Sequence, residues 1–351
     1  MTTDDELTLD AARHLLNGGL VAFPTETVYG IGADAANHAA VDKIFRAKQR
    51  PPTHPLIVHL SSSNHLQDWV DDIPQCAWDL VEAFWPGPLT LILPKKASLP
   101  ENLSGGQNTI GLRMPDHPVA IELLQAFASL KSASTSTPQP TGIAAPSANR
   151  FGHVSPTTAA HVRSDLCSPS VSADLLPMVL DGGACRVGLE STILDLSSPR
   201  PAILRPGMLD AIELAKILGA APDNLWLDRA AKATTPRVSG SLVAHYVPRT
   251  PACLLLRPQL IKEIKKHQAT GGSLAVLSCG SPMPIHLLDL LTSWINLPKE
   301  PYEYGQQLYA SLHTIDANNV SMLLIERPPE NAAWSAIIDR LQRATACTNA
   351  A

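Results

Sequence analysis

The sequence predicts two α/β domains, the first on a mixed, curved sheet and the second on a parallel, Rossmann-like sheet. Three observations carry this. A chain of 351 residues with 45% apolar and 17% charged residues has the length and composition of an ordinary globular protein with two cores. Strand-like and helix-like runs follow one another up to about residue 218 without strict alternation, which argues against a simple doubly wound sheet. After an aperiodic, proline-bracketed stretch at 221–251, apolar strands and helices alternate, as in a small β-α-β layer with a parallel sheet.

Taken in order, residues 7–16 form a first helix, stopped by Asn17-Gly18-Gly19, and strand 20–24 follows. Val41, Ile44 and Phe45 recur at helical period, giving a helix over 39–48 that Pro51-Pro52 ends. Strands are expected at 56–60, 89–93, 109–113, 142–145, 178–180, 192–196 and 202–204, with helices near 74–85, 117–130, 156–164 and 209–218. The Ser/Thr/Pro-rich 131–142 reads as a mobile loop without a readable function. In the second domain, ACLLLRP, SLAVLSCG and SMLLIERP are strands, with helices at 258–267, 285–295, 301–314 and 331–345. Trp334, Ile337, Ile338 and Leu341 give the last helix an apolar stripe. No G-x-G-x-x-G occurs, so a dinucleotide is not implied. The domain bounds are 1–215, then 216–250 as a linker or lid, then 251–351.

Composition narrows the function classes. A net charge of −5 lacks the basic excess of a protein that grips a nucleic-acid backbone, so stable nucleic-acid binding is not expected and a nucleotide would sit in a pocket. The acidic N-terminus and the lack of long apolar runs point to a cytoplasmic chain with no membrane partner. Cys76, Cys167, Cys185, Cys253, Cys279 and Cys347 show no C-x-x-C spacing, suggesting neither a zinc cage nor a disulfide framework. His54 and His59, five apart, do not have a usual metal-ligand spacing, and no acidic cluster offers a protein-held Mg²⁺ site.

The chemistry-bearing residues gather at element ends. An apolar run, Leu20 to Phe23, delivers a turn with Thr25 and Thr27; Lys48 and Arg50 lie at or just past a helix end with no acidic residue within five positions C-terminally. Such a pair is suited to an external anion. Period-two alternation puts Thr109, Gly111 and Arg113 on one face of a strand, where the planar guanidinium of Arg113 suits a carboxylate. The run APSANRFGHVSPT offers Ser147, Asn149 and Ser155 as small hydroxyl and amide groups that can approach phosphate oxygens. Ser191 in GLESTI and Arg205 in LRPGM add another hydroxyl and another cation. With no Walker lysine motif, no Ser/His/Asp signature and no carboxylate pair, the pattern favours positioning and charge stabilisation over a covalent nucleophile.

FPTETVYGIG, KQRPPTHPLIVH, TIGLRMP, APSAN, GLESTI and RPGM occur in this order, and together they resemble the YrdC-like domain of threonylcarbamoyl-AMP synthases over about residues 8–210. SGSLVAHYVP and the C-terminal α/β domain are similar to the longer, two-domain members. The resemblance implies a YrdC-like twisted mixed sheet with a central, positively lined cavity. It also implies a reaction in which L-threonine, bicarbonate and ATP give threonylcarbamoyl-AMP and pyrophosphate. The product would feed threonylcarbamoylation of an adenosine beside the anticodon of some tRNAs, through a downstream tRNA threonylcarbamoyl transferase complex. Mg²⁺ would be held mainly by ATP phosphates and water. By the family pattern, Lys48, Arg50, Ser147 and Asn149 are the catalytic set. Threonine contacts fall on Thr27, His59, Arg113, Ala145 and Ser191, and ATP contacts on Arg50, His54, Thr109, Ser147, Ser155, Arg205 and Tyr246. The chain departs from the family in carrying His54 where asparagine is common, an insertion-like 131–141, and SGSLVAHY where a proline-glycine-methionine version is common.

Two other classes are weighed: an RNA-binding module, disfavoured by the negative charge and the lack of basic patches interleaved with aromatics, and a carbamoyl transferase using carbamoyl phosphate, which would require companion zinc or acylphosphatase modules. Leu242, Val243, His245 and Tyr246 are too apolar and aromatic for a solvated tether. Residues 237–248 are therefore expected to fold back over the first domain's cavity, with Tyr246 reaching the nucleotide.

Overall fold

The computed structural model describes residues 3–134, 139–226, 235–268 and 271–346. The chain divides into two units. One comprises Met1–Phe151, Pro156–Arg186 and Glu190–Ser241; the other comprises Gly152–Ser155, Val187–Leu189 and Leu242–Ala351. The division at Ser241 and Leu242 falls inside the stretch read as a linker.

In the first unit the chain runs α1 (Thr3–Leu16), β1 (Val21–Phe23), β2 (Gly30–Asp34), α2 (His38–Lys48), β3 (Ile57–His59), α3 (Leu66–Trp69), α4 (Gln75–Phe84), β4 (Leu89–Pro94), α5 (Glu101–Ser104) and β5 (Thr109–Arg113). It continues with α6 (Pro118–Ser134), β6 (Ile143–Ala144), α7 (Ala159–Leu166), β7 (Met178–Val179), β8 (Thr192–Asp195), β9 (Ala202–Arg205) and α8 (Ala211–Leu218). Its nine strands lie in the order β7-β1-β2-β6-β3-β5-β4-β8-β9. Pairings β1/β7, β3/β5 and β4/β8 are parallel and the other five antiparallel, so the sheet is mixed, as the irregular succession of elements implies.

Period-two alternation sorts side chains to the two faces. Val21 and Phe23 of β1 join Ala11, Leu15, Leu124 and Phe127 of α1 and α6 on one face. Leu20 and Ala22 enter the larger core on the other face with Val41 and Ile44 of α2. Caps close the helices where the sequence provides them. Asn37 accepts from Ala40 N at the start of α2, and Asp210 and Glu213 form a reciprocal capping box on α8.

Strand β2 is absent from the sequence expectation because GIGAD offers no alternation. The reason is steric: a Cβ on Gly32 would lie 2.6 Å from Ile143 Cγ2 and 2.8 Å from Phe23 Cε1, so neighbouring strands supply the side chains there. The expected loop 131–142 is corrected in part. Helix α6 continues to Ser134, Lys131 and Thr141 are buried, and Lys131 Nζ meets Asp34 Oδ1 at 2.5 Å; positions 135–138 lie outside the described residues.

The second unit runs β10 (Ala252–Leu255), α9 (Arg257–Gln268), β11 (Leu274–Cys279), α10 (Ile285–Leu288), β12 (Ser293–Leu297), α11 (Pro301–Ala317), β13 (Met322–Glu326) and α12 (Ser335–Ala344). Its sheet, β10-β13-β11-β12, is parallel throughout. The helix expected at 285–295 is overturned. It stops after one turn, and Ser293–Leu297 pairs in parallel with Ala275–Cys279. Trp294 and Ile295 are strand formers, and the pairing satisfies backbone groups that a continued helix would have bonded locally. Leu260, Ile264 and Leu287 pack with Leu274, Val276 and Leu324. The last helix buries Ile337 and Leu341 fully while Ile338 is half-buried, and Arg340 is buried beside them. No helix among the described residues is long and apolar enough to cross a membrane.

Candidate active site

Four cations singled out in the sequence, Lys48, Arg50, Arg113 and Arg205, are each at most 5% exposed. Buried cations of this kind require pairing or hydrogen bonds. Helix α2 ends with Gln49 in the left-handed conformation (φ 54), its N–H donating to Arg46 and Phe45 carbonyls. Arg50 N then donates to Phe45 O. This turn separates the two cations. Lys48 Nζ donates to Ser147 O at 2.5 Å and to Asn149 O, while Phe151 N donates to Lys48 O at 2.9 Å. The end of α2 is thereby stitched to the loop after β6. Ile31 N donates to Pro146 O and Ala148 N to Tyr29 O, fastening the same loop to β2.

Burial, reinforced by neighbouring Arg50 and partly offset by Asp165, holds the Lys48 ammonium well below its ordinary pKa. Arg50 Nη2 donates to Pro55 O at 2.9 Å, and its guanidinium carbon lies 5.3 Å from the Phe151 ring centre. His54 packs against the same ring at 5.0 Å, with its pKa lowered by burial and then by Arg50 and Arg237.

The threonine-rich turn and β5 form a second constellation. Arg113 Nη2 donates to Glu26 Oε1 at 2.6 Å, Nη1 to Thr27 Oγ1 at 2.9 Å, and Nε to Gly87 O at 3.2 Å. Glu26, fully buried, takes a further bond from Asp116 N at 3.1 Å. Thr25 and Thr27 share a 2.8 Å hydroxyl–hydroxyl bond. His59 is the register neighbour of Arg113 across the parallel β3/β5 pair. Burial, then Arg113, pushes its pKa down to about 3, so the ring is neutral at physiological pH. Ala145, buried beside Gly30, donates its N–H to Ile57 O. Cys185 is also buried here, and desolvation raises its thiol to about 12.

At the end of β9, Arg205 donates through Nε and Nη2 to Ser191 O at 3.1 and 2.9 Å, and to Ser191 Oγ at 3.1 Å. Ser191 Oγ also lies 2.8 Å from Thr90 Oγ1. The remaining terminal nitrogen of Arg205, Nη1, reaches Ser239 O at 3.0 Å. Thr109 and Gly111 line a narrow cavity of about 10 Å³ with Ile57, Ile92 and Val238. Among the described residues no cluster of three or more His, Cys, Asp or Glu could hold a metal ion.

The structure thus joins Lys48 with the Ser147–Asn149 loop, Arg50 with His54, Thr27 with Arg113 and His59, and Ser191 with Arg205. Ser155 and Tyr246 belong to the second unit. Ser155 is fully buried, its carbonyl 3.1 Å from His313 Nε2. Tyr246 stacks on Tyr309 at 5.8 Å with Arg340 5.2 Å above its ring, and its φ of 62 is uncommon for a bulky residue. Sequence reasoning missed Glu26 and Phe151. Glu26 had a readable signal, a lone acid between Thr25 and Thr27; Phe151 had only its place after the loop.

A family described as "Telomere recombination" matches residues 13–207, and one described as "Threonylcarbamoyl-AMP synthase, C-terminal domain" matches residues 209–346. A threonylcarbamoyl-AMP synthase of Pyrococcus abyssi is 34% identical over 344 residues, 95% of this chain and 93% of that one. One of Bacillus subtilis is 35% identical over 348 residues, 98% of this chain and 94% of that one. A crystal structure of P. abyssi Sua5 complexed with L-threonine superposes with a TM-score of 0.84 at 33% identity, covering 97% of this chain and 95% of that one.

Proposed function

We propose a residue-level mechanism from the premise that this chain belongs to the two-domain threonylcarbamoyl-AMP synthase family. Its activity is a nucleotidyl transfer that makes threonylcarbamoyl-AMP, an intermediate of tRNA modification. The substrates of this chain are L-threonine, bicarbonate and ATP. Threonine's uncharged amine adds to the carbon of CO₂ and loses a proton, or adds to that of bicarbonate as a C–O bond breaks and water leaves, giving in either case a carbamate. A carbamate oxygen then attacks the α-phosphorus, and the bond to the bridging oxygen breaks to release pyrophosphate.

The observation that supports this reading is the pair of buried cations Lys48 and Arg50, held by carbonyl groups and an aromatic face at the edge of the Ser147–Asn149 loop. They meet the charge that builds on the phosphates, Ser147 and Asn149 position the triphosphate, and no covalent nucleophile is required. Arg205, His54, Thr109, Ser155 and Tyr246 complete the ATP contacts in this reading. Thr27, His59, Arg113, Ala145 and Ser191 take threonine. His59, neutral with a pKa near 3, serves as a hydrogen-bonding group and not as the base. The donor set is cationic and hydroxylic, so it fits a Mg²⁺ that arrives with its oxygen ligands on the triphosphate and water; bound there, the ion would neutralise phosphate charge. The product passes to a tRNA threonylcarbamoyl transferase complex in the cytoplasm.

The test is pyrophosphate release by purified protein. Release should require ATP, threonine and bicarbonate together, because the carbamate is the attacking group. Equal release with bicarbonate and CO₂ removed would exclude the mechanism.

A further inference from the structure

The second unit contains a crevice that the reaction above does not use. Strands β10, β13, β11 and β12 are parallel and end at one edge, where a cavity of about 580 Å³ opens among the residues that follow them. Its size lies in the range of small-molecule sites. The chain leaves β11 through α10 toward β12, whereas it leaves the adjacent β13 for α12, which packs beside β10. Neighbouring strands thus depart in opposite directions, the switch point where open α/β sheets take ligands beyond their carboxyl ends.

The wall of the crevice is built. Glu326, 7% exposed, accepts from Arg257 Nη1 at 3.1 and 3.0 Å through its two oxygens and from Cys279 N at 3.1 Å. Arg257 Nη2 donates to Pro282 O at 2.7 Å. These bonds tie the ends of β10, β11 and β13 together and neutralise Arg257. Arg327 is paired with Glu330. Lys299 is different: it lines the same cavity, is exposed, and has no ion-pair partner among the described residues. Gly280, with φ +67, passes so close that an added Cβ would lie 2.5 Å from Lys299 Cβ, which fixes the stem of the lysine against the β11 end. Helix α9, twelve residues long, begins at Arg257 on the same rim. Pro258 has no N–H and Leu256 N already donates to Gln259 Oε1 at 3.1 Å, so the helix offers the amides of Arg257 and Gln259 and its partial positive charge. Leu256, Pro258, Pro328 and Pro329 make an apolar flank.

We propose that this crevice binds a phosphomonoester carried on a nucleoside-sized body. The phosphate meets Lys299 and the α9 N-terminus, and the body lies on the proline flank. A doubly charged phosphate matches the two positive features of the rim, whereas a carboxylate would carry only one charge for them.

Hydrogen–deuterium exchange on the full chain tests this with AMP as the probe and inorganic phosphate as its comparison. Millimolar AMP should slow exchange in 279–282 and 326–330 by about threefold or more, and phosphate alone should not. Lys299→Glu, an exposed substitution, should abolish that slowing while leaving intact the protection that ATP with threonine produces around 48–50. Exchange in both segments unaffected by AMP, or AMP protection surviving Lys299→Glu, would overturn the site. Equal slowing by phosphate would overturn the nucleoside-sized ligand.

Discussion

In the proposed mechanism, Lys48 couples burial to function. Desolvation holds its pKa well below the ordinary lysine value, so part of the population is neutral at pH values where an exposed lysine is charged. An arriving triphosphate favours the ammonium and raises that pKa. ATP binding at a pH between the free and bound pKa values of this lysine should therefore take up protons, seen calorimetrically as a binding enthalpy that changes with buffer ionisation enthalpy. Lys48→Met should lose the uptake and turn over roughly 30-fold to 1000-fold more slowly, the equivalent of about 2–4 kcal/mol of charge-assisted stabilisation. Uptake persisting unchanged in that variant would place the titrating group elsewhere.

His59 follows the opposite logic, because its neutral form is the native one. With a folded pKa of about 3 against an ordinary 6.5, the unfolded chain binds the proton first as pH falls. Stability attributable to this ring is complete above pH 6.5 and is lost progressively toward pH 3. Between pH 6.5 and 4 the loss should be on the order of 3 kcal/mol, and urea midpoints of His59→Asn should show a correspondingly shallower acid dependence. The neighbouring Arg113 was legible as a carboxylate binder from its strand position. The acid between Thr25 and Thr27 was visible, but its pairing with Arg113 was not, since the two are 87 positions apart in sequence. That carboxylate fills one side of the fork and Thr27 takes the other. Glu26→Ala should therefore cost about 3–5 kcal/mol as a broken buried pair and raise the threonine KM more than the ATP KM. An unaltered threonine dependence in a folded variant would separate Glu26 from the threonine site.

At the scale of elements, legibility followed how locally each signal was written. Strand β5 is recovered with its bounds because Thr109 to Arg113 alternate cleanly, and α2 because its apolar period and Pro51-Pro52 are both local. Strand β2 escaped because its glycines are explained by side chains from β1 and β6. Strand β12 escaped because its apolar run suits either period until β11 is beside it. The end of α6 was obscured by the Ser/Thr/Pro composition that follows it. Lys131 there reads as a solvated charge, yet it reaches Asp34 97 positions away and ties α6 to the end of β2. Removing one partner of such a pair leaves the other charge buried. Lys131→Ala should lower stability by about 3–5 kcal/mol in denaturant unfolding, and Lys131→Ala combined with Asp34→Ala should cost less than the sum of the single changes. Strict additivity would mean that the pair does not couple.

For the whole molecule, the question is what residues 237–241, inside the stretch expected as a linker, do for the first unit. Arg237 N donates to Gln107 Oε1 at 2.6 Å and Arg237 Nη2 to Gly105 O at 2.8 Å. Val238 is 3% exposed and packs with Ile92 and Ile193, and Ser239 O accepts from Arg205. The sequence predicts that this stretch packs on the first domain but not where, because its anchors lie at distant positions on β4, β8 and β9 and in the turn before β5. Burying one valine and three such hydrogen bonds should contribute about 2–4 kcal/mol after the cost of ordering the chain. A chain ending at Ser241 should then unfold cooperatively and resist denaturant by that margin over a chain ending at Trp226. Because the longer truncation lacks Tyr246, it also separates anchoring from nucleotide contact. It should keep its threonine affinity, show a raised KM for ATP, and make adenylate at least about tenfold more slowly than the intact chain, the worth of roughly one hydrogen-bonded or stacked contact. Equal stability of the two truncations would show that 237–241 is a passive tether, and full turnover by the chain ending at Ser241 would remove Tyr246 from the ATP site.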